Sequence, residues 1–349
     1  MSKVALTRRR ALVACGSLFA VSPSLQGQPK LVGEALGRMT PLGELVNTLE
    51  FEAMAQRKLD PATFAEIAGS DRKIFDRMTF MPNMMVNTSK LDLTAKLFGE
   101  SSYTPILIGP TAQQKRYHPE GELAMVRGAS AAKTFVVVSS RSSFPIEQIA
   151  AESKTTLWYQ VFPEPDMAAV RTRVERAVKA GCKAVCLTLG ADPQAEGPTG
   201  LDWTAIDALR KGINVPFLLK GITSPEEAKT AVGKGIQGIV VSSYAPHSVV
   251  GITQPMQALP AIADAAGGKA TILVDGSFRR GSDVLKGIAL GAQAVLLGRP
   301  PLWALAGYGA EGVQTMLELL QSEMARNLAQ CGRANLAAVD RTMVRIHRR

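Results

Sequence analysis

The chain has 349 residues, of which 46% are hydrophobic, 20% charged and 5% aromatic, with a formal charge of +10. These values exclude a disordered chain, a collagen, a coiled coil and a low-complexity scaffold. They leave room for one large α/β core filled by aliphatic side chains, Ala, Gly and 13 Met.

Much of the basicity belongs to the first residues. Lys3, Arg8, Arg9 and Arg10 precede an apolar stretch from Ala11 to Val21, and no acidic residue occurs before Glu34. This order reads as a signal peptide over residues 1–26, with an amphipathic N-terminal helix as the alternative. The apolar stretch of 11 residues is too short to cross a bilayer, so no stable membrane span is expected. Thr7-Arg8-Arg9-Arg10-Ala11-Leu12 resembles a twin-arginine export signal, which implies passage of an already folded, cofactor-loaded protein to the periplasm. Removal of residues 1–26 takes four basic residues and leaves +6, the balance of a mildly basic enzyme and not of a nucleic-acid binder. Of the cysteines, Cys182, Cys186 and Cys331 remain, without Cys-x-x-Cys or metal-ligand spacing, and read as buried thiols.

Residues 27–100 read as a helical lead with an extended segment near 81–93. Eight short apolar runs bounded by turn residues follow, at 105–109, 135–139, 157–162, 184–189, 216–221, 238–242, 271–275 and 294–298. Helical stretches alternate with them at 121–132, 166–180, 202–211, 225–234 and 282–290, and 311–329 reads as a closing helix. Ser224-Pro225-Glu226-Glu227 supplies an N-cap, a proline in the first turn and a capping-box glutamate. Eight buried strands alternating with helices predict a (β/α)8 TIM barrel over residues 101–349. No Gly-x-Gly-x-x-Gly follows the first strand, which argues against a doubly wound sheet.

Functional groups of such barrels sit at the C-terminal strand ends. Here those ends are polar: Thr111, Ser139 with Ser140, Gln160, Thr188, Lys220, Ser242, Asp275 and Arg299. Asp275-Gly-Ser-Phe-Arg279-Arg280-Gly-Ser-Asp283 places guanidinium groups and a helix N-terminus after strand seven, and Gly298-Arg299-Pro300 allows close backbone approach after strand eight. Together these features predict a phosphate site. Taken alone, Arg279 and Arg280 read equally well as solvated surface.

Pro110-Thr111-Ala112, His118-Pro-Glu-Gly-Glu122, Ser139-Ser140, Tyr159-Gln160, Leu187-Thr188, Leu219-Lys220-Gly221, the Asp275–Asp283 stretch and Gly298-Arg299-Pro300 form an ordered series over residues 45–335. The series resembles the FMN-dependent α-hydroxy acid oxidase/dehydrogenase family. That resemblance implies an FMN cofactor, oxidation of a 2-hydroxy acid to a 2-oxo acid with hydride transfer to the flavin, and a tendency to homo-oligomers. It places Pro110, Thr111 and Ala112 beside the flavin ring, Ser139 against the cofactor, Gln160 and Thr188 on the pyrimidine edge, and Lys220 near N1 and the C2 oxygen. Asp275 falls on the ribityl hydroxyls, Arg279, Gly298 and Arg299 on the phosphate, and His118 in a structural role.

The chain also departs from the family pattern. Where the family carries Ser-Asn-His-Gly-Gly-Arg after strand six, this chain reads Ser242-Ser243-Tyr244-Ala245-Pro246-His247. Tyr244 therefore replaces the base histidine, and His247 stands in place of the substrate-binding arginine. Phe162 replaces a tyrosine after strand three, Gly190 replaces the aspartate that partners the histidine, the N-terminal tyrosine near residues 64–68 is missing, and the lid shrinks to residues 190–200. Two readings follow. In one, His247 is the base and Arg141 the anchor for a small-molecule carboxylate substrate. In the other, the protein binds FMN but has lost hydroxy-acid chemistry, acting as another flavoenzyme, an electron carrier or a carboxylate-binding module. The electron acceptor is left open by both.

Overall fold

In each of the eight apolar runs β-branched and aliphatic residues are packed between turn-formers, and each run becomes a strand because it can bury both faces. The computed structural model describes residues 38–190, 201–244 and 254–347. Its strands are β1 (Ile106–Ile108), β2 (Phe135–Ser139), β3 (Leu157–Val161), β4 (Val185–Thr188), β5 (Phe217–Ile222), β6 (Gly238–Val241), β7 (Thr271–Asp275) and β8 (Ala294–Leu297). They pair in parallel around a closed barrel, with β8 hydrogen-bonded to β1. The twin-arginine-like segment, residues 191–200 of the shortened lid, and His247 lie outside the described residues.

The barrel interior is a packed core. Leu107, Phe135, Val137, Trp158, Cys186, Leu218, Val240, Leu273 and Leu296 form one buried cluster. Its lower end is plugged by a hairpin (Ala95–Leu97 with Glu100–Ser102), whose turn residue Phe98 lies 5.5 Å from the Trp158 ring. Burial pushes the thiols of Cys182 and Cys186 up to about 12, so neither is a nucleophile at neutral pH.

Helices Gly121–Ala131, Met167–Lys179, Trp203–Arg210, Pro225–Gly233 and Gly281–Ala289 surround the barrel within a residue or two of the expected bounds. Asp166, Asp202 and Ser224 cap three of them through their side chains. Three expectations need correction. Helices Ile146–Glu152 and Pro255–Ala266 were not anticipated; the second carries Pro260 in its interior, where proline removes a hydrogen bond and reads as a breaker. Residues 81–93 contain no strand; the extended pieces flank them, at Met78–Phe80 against Val344–Ile346 and in the hairpin. The closing helix begins at Arg299 and runs to Gln330, bent where Gly309 takes φ +62°. A Cβ at Gly309 would stand 3.1 Å from Nε2 of His118, so the bend and the His118 ring share one space.

The lead contains helices Thr48–Lys58, Pro61–Ile67 and Lys73–Asp76. It is tied to the barrel near β7 and β8. Trp303 Nε1 donates to the Ile67 carbonyl (2.7 Å), Lys286 Nζ donates to the Phe75 carbonyl (2.8 Å), and Arg72 pairs with buried Asp283 (2.7 Å). Among the described residues no helix is long and apolar enough to cross a membrane.

Candidate functional site

A parallel barrel brings its C-terminal strand ends together, so the residue that ends each run decides what the mouth presents. Six adjacent strands end in hydrogen-bonding side chains that form two linked groups. Ser139 Oγ, on β2, donates to Gln160 Oε1 on β3 (3.0 Å), and Gln160 Nε2 donates to Thr188 Oγ1 on β4 (2.9 Å). Lys220 Nζ, on β5, donates to Ser242 Oγ beyond β6 (2.9 Å) and pairs with Asp275 Oδ2 on β7 (2.9 Å), which also accepts from Ser242. Thr188 and Lys220 are register partners on neighbouring strands. Ser139, Gln160, Thr188, Lys220 and Ser242 are all buried.

Ser139, Gln160, Thr188, Lys220 and Asp275 floor a cavity of about 590 Å³, with Ser242 buried behind Lys220 and Asp275. All eleven residues expected to hold a flavin phosphate ester line it: Pro110, Thr111, Ala112, Ser139, Gln160, Thr188, Lys220, Asp275, Arg279, Gly298 and Arg299. At its β7–β8 side the Arg279 guanidinium lies 4.6 Å from the Trp303 ring centroid and donates to the Phe278 carbonyl (2.8 Å). Burial and the nearby Arg299 charge push Arg279 down to about 10. Two neighbouring guanidinium groups, one of them buried without a carboxylate hydrogen bond among the described residues, fit an anion. Gly298 caps the Arg299–Gln330 helix without a side-chain hydrogen bond, and no atom lies within 4 Å of where its Cβ would stand. This is space in which an anion could approach helix N–H groups.

The helix N-terminus after β7 is different from what the sequence suggested. Asp283 accepts from the backbone N–H of Arg279 and Arg280 (2.9 and 3.0 Å), and Glu323 accepts from Gly281 N–H (2.8 Å) and from Arg280 Nε (2.9 Å). That terminus is closed by protein carboxylates, and Arg280 is committed to Glu323. The anion-facing groups are therefore Arg279 and the Gly298-Arg299 turn.

The rim holds the residues with altered chemistry. Tyr244 lines the cavity, 55% exposed, with its ring centroid 5.0 Å from Lys220 Nζ. Phe162 also lines the cavity. Arg141 does not: its guanidinium pairs with Glu164 (3.1 Å), which also holds Arg173. Arg141, expected to face the cavity, is not part of the described lining; its backbone accepts from Gln113 N–H and donates to Ser139 Oγ.

Sequence reading missed four ionisable lining residues: Glu66 and Asp71 from the lead, and Arg116 and Tyr117 after β1. Arg116 forms an ion pair with Glu66, whose other oxygen accepts from the Tyr117 hydroxyl (3.2 Å). Burial, reinforced by the Glu66 charge, pushes the Tyr117 phenol up to about 12. The signal was present, because Arg116-Tyr117 directly precedes the His118-Pro-Glu-Gly-Glu122 motif. Buried Glu122 explains the placement: it accepts from Gln114 N–H (3.0 Å) and Ser143 N–H (2.9 Å), fastening the short Gln114–Arg116 turn. Half-buried His118 accepts from Glu120 N–H (3.2 Å) beside the Gly309 bend, away from the cavity lining.

The model of the family described as FMN-dependent dehydrogenase matches residues 55–197 and 191–346. An L-lactate oxidase of Nostoc sp. is 33% identical over 88% of this chain and 100% of its own length. Glycolate oxidase 1 of Oryza sativa subsp. indica is 30% identical over 87% of this chain and 96% of its own. Among solved structures, a mandelate oxidase with (S)-2-phenylpropionate superposes with a TM-score of 0.80 at 32% identity, covering 86% of this chain and 98% of the other.

Proposed function

Because the chain belongs to the FMN-dependent dehydrogenase family and takes FMN as its cofactor, we propose that the flavin lies along the polar strand ends while a 2-hydroxy acid is oxidised to a 2-oxo acid at the rim. The observation that carries this reading is the buried Lys220, aimed into the cavity between Ser242 and Asp275. Bound FMN supplies a two-electron acceptor for the substrate's C–H bond.

Around it, Pro110, Thr111 and Ala112 flank the ring, and Ser139, Gln160 and Thr188 meet its polar edge. Lys220 holds a fixed cation against charge that grows on that edge, in a place from which water is excluded. Asp275 anchors Lys220 and meets ribityl hydroxyls, and Arg279, Gly298 and Arg299 hold the phosphate. Tyr244 covers Lys220 from solvent. A phenol suits a hydrogen-bond donor and makes a poor base at neutral pH. His247, three residues further along, takes the proton from the substrate hydroxyl, since an imidazole of reference pKa about 6.5 is suited to that transfer. Export through the twin-arginine-like segment to the periplasm and assembly into homo-oligomers complete the proposal.

The test is anaerobic addition of a panel of 2-hydroxy acids to the purified FMN-loaded protein. Bleaching of the flavin absorbance near 450 nm is expected with at least one of them. Bleaching by dithionite and by none of the acids overturns the reading in favour of a flavoprotein that has lost this chemistry. His247→Asn should suppress the acid-driven bleaching while leaving FMN bound.

A further inference from the structure

A 2-hydroxy acid brings a carboxylate, and a carboxylate inside a cavity needs a cation. Four cationic side chains line the cavity among the described residues: Arg116, Lys220, Arg279 and Arg299. Lys220 is engaged by Ser242 and Asp275 on the buried floor, and Arg279 with Arg299 forms the anion site at β7–β8. Arg141 is turned to Glu164. Arg116 is the remaining one.

We infer that Arg116, which is held in place by Glu66, is the guanidinium that binds the substrate carboxylate at the cavity rim. The inference rests on the hydroxy-acid reading above and deepens it by naming the residue that selects for an acid.

Three observations support it. First, Arg116 uses only Nη2 toward Glu66; its Nη1 and Nε have no hydrogen-bond partner among the described residues. A guanidinium has five N–H donors in a planar fork, so one edge can hold Glu66 while another meets a carboxylate. Second, its position is fixed by the backbone. Gln113 adopts the left-handed conformation (φ 48°), Gln114 Nε2 donates to Thr111 Oγ1 (2.8 Å), and Glu122 and Ser143 hold the Gln114 and Lys115 N–H groups. The Thr111 and Arg116 ends of this turn therefore move as one body, coupling the flavin-flanking residues to the carboxylate site. Third, the same turn carries Tyr117, which lines the cavity together with Tyr244, and Tyr244 stands over Lys220. Arg116 thus belongs to the face of the cavity that closes over the floor.

Glu66 is a positioning residue. It orients the guanidinium through one oxygen, is itself held by Tyr117 through the other, and offsets the charge of Arg116. An incoming carboxylate adds a negative charge beside Glu66, so a monoanionic substrate should be favoured over a dianionic one.

The experiment uses full-length FMN-loaded protein and the variants Arg116→Met and Arg116→Lys. Binding of an unreactive carboxylate, phenylacetate, is read from its perturbation of the flavin spectrum. Reduction by the best 2-hydroxy acid and by its carboxamide is read by stopped flow. Arg116→Met is expected to weaken phenylacetate binding at least 30-fold, to raise the acid's half-saturating concentration similarly with a smaller change in limiting rate, and to erase the preference for acid over amide. Arg116→Lys should recover part of each effect. FMN affinity should remain within twofold, which separates a local loss from misfolding.

Equal phenylacetate affinity in wild type and Arg116→Met overturns the inference, as does a wild type that binds no carboxylate. A wild type that binds phenylacetate through Arg116 but is reduced by no hydroxy acid overturns the proposed reaction and leaves the carboxylate site standing.

Discussion

The floor and the rim of the cavity are built by opposite means. On the floor, Ser139, Gln160, Thr188, Lys220 and Ser242 are buried at or just beyond strand ends, and each bonds to a residue presented by a neighbouring strand. Barrel register sets their spacing, so the floor cannot change one member without leaving a buried polar group unpaired. At the rim, Glu66, Arg116, Tyr117 and Tyr244 come from a helix of the lead and from turns after β1 and β6, and they are partly exposed. Glu66, Arg116 and Tyr117 bond to one another through their side chains, while Tyr244 stands over Lys220, and a different set could occupy the same backbone. On the proposed reading, the barrel specifies the cofactor, and what is laid across it specifies the substrate.

Breaking the floor should produce the largest effects. Lys220→Met removes the cation and leaves Asp275 with Ser242 as its side-chain partner; on the proposed flavin placement, the limiting rate of flavin reduction by hydroxy acid is expected to fall by about 10³-fold or more. The reduction potential of bound FMN should fall as well, and an unchanged potential would dissociate Lys220 from the flavin edge. Next in size is Arg279→Ala. Fluorescence titration of the apoprotein should show FMN binding weakened by about 100-fold and riboflavin binding by little, since only FMN brings the phosphate. Equal losses for both flavins would place Arg279 elsewhere than the phosphate.

The same division governs what could be read from the sequence. Strand ends are legible because a polar residue closing an apolar run is conspicuous, and all six, from Ser139 to Asp275, stand where the runs placed them. Rim residues are obscure because their partners are remote in sequence: Glu66 meets Arg116 and Tyr117 across about 50 residues, and no local pattern announces it. Arg141 shows the converse difficulty. Its place after Ser139-Ser140 suggests the cavity, yet it is not part of the described lining, and one of its partners, Glu164, lies 23 residues further along, beyond any local pattern. Arg280 likewise turns to Glu323, a residue of the closing helix.

Smaller perturbations test how far the rim depends on the scaffold behind it. Gly309→Ala places a methyl 3.1 Å from His118 Nε2 on a backbone with φ +62°, and a loss of about 1–3 kcal/mol is expected in denaturant unfolding. If His118 and its motif serve the rim only by holding the Gln114–Arg116 turn, this variant should also weaken phenylacetate binding several-fold while sparing FMN. Unchanged carboxylate affinity would show the turn to be independent of the bend.

The smallest expected effect concerns Glu66. The burial of Tyr117 and, after it, the Glu66 carboxylate favour the protonated phenol and push it up from the ordinary 10.0 to about 12. A phenol whose pKa is raised on folding stabilises the folded state fully below the unfolded value and loses that contribution as pH climbs through the folded one. Stability should therefore decline between about pH 10 and 12 through Tyr117. Glu66→Gln removes the charge and weakens the hydrogen bond but leaves the burial, so ultraviolet titration should show a Tyr117 phenol shifted only part of the way back toward 10. The pH window of declining stability should narrow with it. Freed from a competing carboxylate, Arg116 should bind phenylacetate more tightly by a few-fold, provided that the carboxamide introduced by Glu66→Gln still orients it. A Tyr117 titration unmoved by Glu66→Gln would mean that burial alone sets the phenol, and that the three rim residues are neighbours without being coupled.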